Sequence, residues 1–364
     1  MADPRAADSH AELVRLIRDE IEAAPARRIT FARFMERALT EPGLGYYATS
    51  SERPTRGGDF LTAPELHPFF GRCIGRQLDE VWNRLGRPET FHVREYGAGR
   101  GTLERTVRSG LRADGSGLAD AVRWEPLDVG SEAPGQPVVG AVLANEFLDA
   151  LPVHRVVLRG GRLRERYVTW NDGWFADEEA DPSSTFIAAS LVRDGVVLAE
   201  GQRAEVCLAS AEWARSAAAE LQRGIVLVID YGHPAAELYG PRRMAGTLVA
   251  YRGHAAGDDP FAAVGRQDLT AHVDLTALDR AMTGGGLERL GAADQGPFLA
   301  ALGLGDLLAA LGRDPQADPQ TYLLARASVA RMLDPRHLGG FRVLAWARGV
   351  EPHPPLRGFV PLGR

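Results

Sequence analysis

Residues 91–107, FHVREYGAGRGTLERTV, alternate apolar and polar positions, then pass through Gly97, Gly99 and Gly101 into a helical spacing. The pattern predicts a strand, a tight glycine turn and a helix N-terminus. Residues 138–152, VVGAVLANEFLDALP, hold a short apolar run that fits a fully buried parallel strand and ends abruptly in Asn145, Glu146 and Asp149. More strands are expected at about 121–129, 224–230 and 341–349, and helices over 205–221, 299–311 and 320–333. Buried strands with helices between them imply a doubly wound α/β sheet. Residues 153–170, VHRVVLRGGRLRERYVTW, read as an antiparallel hairpin turning at Gly160-Gly161, followed by a polar loop over 171–185.

Ahead of the first sheet strand the periodicity is helical. Ser9 and Glu12 have the spacing of a capping box for a helix that Pro25 ends, and Thr30 reads as the N-cap of a second, with Ile29 and Phe34 as its hydrophobic staple. Thr62 opens a third, long helix that ends near Gly86. The expected organisation is therefore a helical N-terminal cap over 1–88, a sheet domain over 89–350 with an insertion at about 153–205, and an irregular tail over 351–364.

With 364 residues and 45% hydrophobic content, the chain is long enough for one large α/β domain with insertions, or for two smaller domains. A formal charge of -6 provides no general basic surface, which argues against nucleic acid as a partner. All 42 basic residues are arginine, so lysine-dependent mechanisms are excluded. Two distant cysteines, Cys73 and Cys207, offer neither a disulfide framework nor metal-ligand spacing, and no metal is expected. No apolar run reaches about 18 residues, and acids at Asp3, Asp8, Asp19 and Glu20 stand where a targeting segment would be apolar or free of acid. A cytoplasmic protein that does not engage a membrane is the expectation.

The glycine spacing narrows the chemistry. A dinucleotide fingerprint would read G-x-G-x-x-G, whereas here the third glycine follows the second by two residues, as in the E-x-G-x-G-x-G turn that binds S-adenosylmethionine (SAM). Such a turn lets a backbone approach a ligand closely, because glycine tolerates positive φ and carries no Cβ. Polar groups at the carboxyl end of a buried strand, as at Asn145 and Glu146, are where an open α/β sheet binds its ligand.

GDFLTAPELHPFFG at 58–71, REYGAGRGTL at 94–103, ANEFLDALPVHR at 144–155, VIDYG at 228–232 and DLTAHVDLTAL at 268–278 occur in that order. On these segments the chain resembles the MidA-like family of SAM-dependent methyltransferases over roughly residues 28–350. The resemblance implies a class I, Rossmann-like methyltransferase sheet with a helical N-terminal cap, an inserted antiparallel hairpin region and an antiparallel closing strand. It further implies SAM as cofactor and N-methylation of an arginine on a protein partner, as in the mitochondrial members that assemble complex I. A small-molecule acceptor, or an assembly protein with a degenerate SAM pocket, are the alternatives, and a homodimer is left open.

Expected cofactor-binding residues are Asp59, Thr62, Glu95, Gly97, Gly99, Gly101, Asp128 and Asn145. Glu95 either holds the donor's ammonium or pins the glycine loop through its backbone N–H groups. Asp128 meets the ribose if 121–129 is the second sheet strand, and loses that role if it is the third. The family has a helix and a strand between its second strand and the NEF strand, but the eight residues between Val129 and Val138 span only about 26 Å fully extended, so one strand is expected to be missing or vestigial. Pro126 is tolerable if its strand lies at the sheet edge. Glu146 and Asp149 are expected to clamp a cationic acceptor, or else to cap a following helix. Asp59 and Thr62 would close over the donor, although a plain helix start also accounts for Thr62. Tyr46 and Tyr47 either line the ligand or belong to the core. His233, His254 and His272 are candidate acid/base residues, with His272 taken as catalytic because DLTAHVDLTAL matches the family.

Overall fold

A computed structural model describes residue 3 and residues 5–49, 62–129, 131, 135–253 and 255–361. The chain divides into two compact units. One comprises 1–60, 148–213 and 232–280, and the other 61–147, 214–231 and 281–364.

The second unit is built on a six-stranded sheet. Its order is Glu288–Asp294, Arg342–Arg348, Leu221–Asp230, Val138–Asn145, Phe91–Tyr96 and Val122–Leu127. The last four strands run parallel to one another, whereas Arg342–Arg348 is antiparallel to both of its neighbours. Val122–Leu127 pairs directly with Phe91–Tyr96 and is the second strand of the sheet, at its edge. Pro126 is therefore accommodated where, among the described residues, no further strand requires an N–H donor. The connection from it to Val138 contains no strand or helix among the described residues, which leaves the sheet at six.

Helices Phe69–Arg84 and Thr102–Ala113 bury one stripe each, Phe70, Ile74, Leu78 and Val81 from the first and Leu103, Val107 and Leu111 from the second. These side chains form one core with Phe91 and Val93, Ile225 and Leu227, and Val343 and Ala345 of the sheet. A boundary at residue 88 does not describe this packing. The helix Phe69–Arg84 belongs with the sheet because its apolar stripe is buried in the sheet's core. The long helix expected from Thr62 is in fact two, Ala63–Leu66 and Phe69–Arg84, separated at His67-Pro68, since proline cannot donate the N–H that continuation requires. The helix expected over 299–311 is likewise divided, into Gln295–Ala301 and Leu304–Arg313, with Gly303 at φ +87° between them.

The first unit carries its own sheet, in the order Arg28–Thr30, Arg162–Asn171, His154–Arg159 and Arg203–Val206, with Trp174–Ala180 also pairing Arg162–Asn171. The hairpin expected about Gly160-Gly161 is present. The segment 171–185, expected as a loop, contains the strand Trp174–Ala180, whose acids at 177–179 are exposed while Trp174 and Phe175 are buried. Its core joins Leu13, Ile17, Phe31, Phe34, Phe175 and Phe261. Thr30 caps its helix as expected, accepting from the Arg33 N–H at 3.1 Å. Ser9 does not cap: His10 is the N-cap of Ala11–Ala23, and the Ser9 hydroxyl instead accepts from the Val264 N–H at 3.0 Å.

Candidate active site

The site in the sheet unit starts at the end of Phe91–Tyr96. Gly97, Gly99 and Gly101 stand at φ +69°, +51° and +64°, a region that residues with a Cβ seldom occupy. The Gly97 N–H donates to Leu127 O at 2.8 Å and the Gly101 N–H to Ala98 O at 2.9 Å, which closes the turn before Thr102–Ala113 begins. Among the described residues, a Cβ on Gly101 would meet nothing within 4 Å, and one on Gly99 only Gly97 O at 4.0 Å. The described residues leave the space beside these two open. Gly97 differs, because a Cβ there would lie 3.1 Å from Cδ2 of Phe147.

Asp128 pins this loop, accepting from the Gly99 N–H at 2.8 Å through Oδ2 and from the Val129 N–H at 2.8 Å through Oδ1. The loop-pinning considered for Glu95 thus falls to Asp128. Glu95 is 4% exposed and accepts from Nε1 of Trp124 at 2.8 Å. Burial pushes its carboxyl up to about 7, with the Trp124 bond opposing the shift and Glu104 and Asp128 adding to it.

At the next strand's end, Asn145 donates from Nδ2 to Glu146 Oε1 at 3.3 Å, and its Oδ1 is buried with no hydrogen-bond partner among the described residues. Glu146 turns the chain at φ +50°, its N–H donating to Ile229 O at 2.8 Å. Its Oε1 also accepts from the Ala63 N–H at 3.2 Å. Thr62 is the N-cap of Ala63–Leu66 but makes no side-chain cap bond, so it starts that turn through its backbone alone. Asp59 lies outside the described residues.

The first unit holds the other candidates. Asp149 lies in a three-residue 3-10 turn, Leu148–Ala150, followed by a strand, so no helix exists there for it or Glu146 to cap. Its backbone oxygen accepts from the Ala271 N–H at 2.9 Å. Nearby in the same unit the Tyr47 hydroxyl donates to Asp268 Oδ1 at 2.8 Å. Burial first, then the charges of Asp268 and Asp149, raises the Tyr47 hydroxyl well above its ordinary value. Tyr46 is buried and meets Tyr47 edge to face at 5.2 Å. His272 stacks on His233 at 5.3 Å, and burial, with His233 and Arg243 nearby, pushes it down to about 4. It is therefore a neutral imidazole at physiological pH, and a weak base. His233 is held by Glu237 at 3.0 Å and by Arg243 at 2.8 Å. His254 lies outside the described residues.

Residues 102–293 match a family described as "Putative S-adenosyl-L-methionine-dependent methyltransferase". A crystal structure of a Burkholderia thailandensis protein bound to S-adenosyl-homocysteine superposes with a TM-score of 0.86 at 33% identity, covering 99% of this chain and 97% of that one. The chain belongs to this family of SAM-dependent methyltransferases. Among curated relatives, the Drosophila melanogaster "Protein arginine methyltransferase NDUFAF7 homolog, mitochondrial" is 28% identical over 96% of this chain and 88% of its own length. The human protein arginine methyltransferase NDUFAF7 is 27% identical over 85% of this chain and 78% of its own.

In this methyltransferase the sheet unit by itself fits its cofactor. Space that the described residues leave open beside Gly99 and Gly101, and a buried acceptor on Asn145 that no described residue satisfies, are what a ligand rich in hydroxyl and ammonium donors would fill. Glu95, the three glycines, Asp128, Asn145, Glu146 and Thr62 all belong to this unit, whereas Asp149 and His272 belong to the other. Two participants escaped the sequence reading. Trp124 is one. The other is Asp230, which is 1% exposed at the end of its strand. The signal that singled out Asn145, a polar residue ending a buried apolar run, also stands at Asp230 within VIDYG.

Proposed function

We propose that the chain is a class I methyltransferase, its sheet lacking the usual third strand, that N-methylates an arginine side chain of a partner protein. SAM supplies an electrophilic methyl group on a sulfonium. The chain's own residues would bind it through the glycine loop, with Glu95 and Asn145 toward its methionine end and Asp128 toward its ribose. The observation that carries the arginine reading is Glu146: its carboxylate is presented at the strand's end by a left-handed backbone, and a carboxylate there suits a guanidinium that must be oriented for in-line attack. The curated relatives named as protein arginine methyltransferases support the same acceptor. Calorimetric titration with SAM and S-adenosyl-homocysteine, followed by mass spectrometry of cellular proteins with and without this gene, tests it. Loss of a methylarginine on a defined protein is the expected result, and an unchanged set of methylarginines despite SAM binding rejects the acceptor.

Glu95 gives SAM binding a pH dependence. A carboxyl raised from 4.5 to about 7 by burial contributes stability that is present below the unfolded value and lost as pH rises through the folded one. An ammonium contact would reward the ionised form, so SAM affinity should increase between pH 6 and pH 8. The rise in melting temperature on adding SAM should be correspondingly larger at pH 8 than at pH 6. Affinity that is flat or falling over this range would remove Glu95 as the ammonium's partner.

A further inference from the structure

We propose that Asp230 is a positioning residue for methyl transfer, its buried carboxylate clamping the turn that holds Phe147 against the glycine loop and presents Glu146. Strand Leu221–Asp230 lies parallel to Val138–Asn145 with Ile229 opposite Asn145, so Asp230 stands just past the residue that pairs with the end of the ligand-binding strand. Two bonds from this strand hold the turn. The Glu146 N–H donates to Ile229 O at 2.8 Å, and the Phe147 N–H to Asp230 Oδ2 at 3.2 Å. The second carboxylate oxygen, Oδ1, accepts from the Tyr231 N–H at 2.8 Å.

Between the two bonds Glu146 is at φ +50°, a conformation an L residue keeps only where its surroundings over-determine it. What the turn carries is functional on both sides. Phe147 packs within 3.1 Å of where a Cβ on Gly97 would be, with its ring 5.5 Å from that of Tyr96, so it backs the loop that receives the donor. Glu146 reaches Ala63 at 3.2 Å. Asparagine cannot substitute for Asp230, because it offers one acceptor to two N–H donors and turns an NH₂ toward one of them. The donor-side effect rests on the methyltransferase assignment alone, and only the presentation of Glu146 rests on the arginine reading.

The test is a double-mutant cycle read by SAM affinity, which requires no acceptor and so fails or succeeds independently of the arginine reading. Asp230→Asn should weaken SAM binding about tenfold or more in the otherwise native chain. Glycine adopts positive φ freely, so in a Glu146→Gly background the same substitution should weaken it by no more than about twofold. Equal losses in both backgrounds, or a lowered melting temperature with unchanged SAM affinity, would reduce Asp230 to a structural strand end and overturn the proposal. Should Asp230→Asn fail to fold, hydrogen exchange on the unaltered protein decides. Saturation with S-adenosyl-homocysteine should slow exchange at the 146 and 147 amides together with those of 97–101, and protection confined to the glycine loop would overturn it.

Discussion

Gly99→Val should abolish SAM binding in a chain that still folds. Calorimetric titration with SAM, expected to give a clear isotherm for the unaltered protein, should give no heat beyond dilution for the variant. Two features separate this site from an ordinary glycine. Its φ of +51° imposes a cost on any residue with a Cβ, on the order of 1–2 kcal/mol, which a protein of this size survives. Among the described residues a Cβ there would touch only Gly97 O, at 4.0 Å, so these offer no clash, and a valine's methyl groups would extend into the space a donor must fill. Gly97 would behave differently, because its Cβ would press on Phe147 at 3.1 Å and the substitution would act by displacing the 145–147 turn. A folded Gly99→Val protein with unchanged SAM affinity would remove the glycine loop as the donor site.

Much of the sheet was legible because its signals are local. Buried parallel strands are near-continuous apolar runs, and Val138–Asn145 was bounded correctly by the change from Ala144 to Asn145. The glycine turn was legible from spacing alone, and the chain length between Val129 and Val138 sufficed to foresee that a helix and a strand could not both lie there. Errors arose where a distant part of the chain supplied the deciding partner. Ser9 has a capping residue's chemistry, but its oxygen is taken by Val264, 255 residues away. Trp174–Ala180 looked like a loop because the segment around it is polar and holds Gly173 and Pro182, and its status as a strand depends on pairing with Arg162–Asn171. In the site, the Trp124–Glu95 bond requires knowing that 122–127 lies beside 91–96, and the Asp128–Gly99 bond requires the same. Asp230 was hidden for a related reason: an acid at a strand's end has meaning only once the neighbouring strand's turn is seen to lean on it. The depressed pKa of His272 follows from burial and from the stacked His233, neither of which a motif match conveys.

Glu146→Gln should leave SAM affinity within a few-fold and lower methyl-transfer turnover by roughly 10² or more, the scale expected when electrostatic complementarity to the reacting group is lost. The substitution separates charge from shape. Glutamine retains an Oε1 that can accept from Ala63 and Asn145, so the turn and the start of Ala63–Leu66 keep their hydrogen bonds. Only the negative charge is removed, the feature that the arginine reading sets against a cationic acceptor. The alternative role as a cap for a helix following the strand has no helix there to act on, since a three-residue 3-10 turn and then a strand follow. Turnover is to be measured at saturating SAM on the protein whose methylarginine disappears with the gene, so that a change in donor binding cannot imitate a change in chemistry. Asp149→Asn, in the other unit, is measured separately and without assuming additivity. A similar loss there would assign it to acceptor recognition, whereas a change confined to melting temperature would make it part of the Tyr47 and Asp268 core. Turnover by Glu146→Gln equal to that of the unaltered enzyme would reject the guanidinium-facing carboxylate, and with it the strongest structural ground for an arginine acceptor.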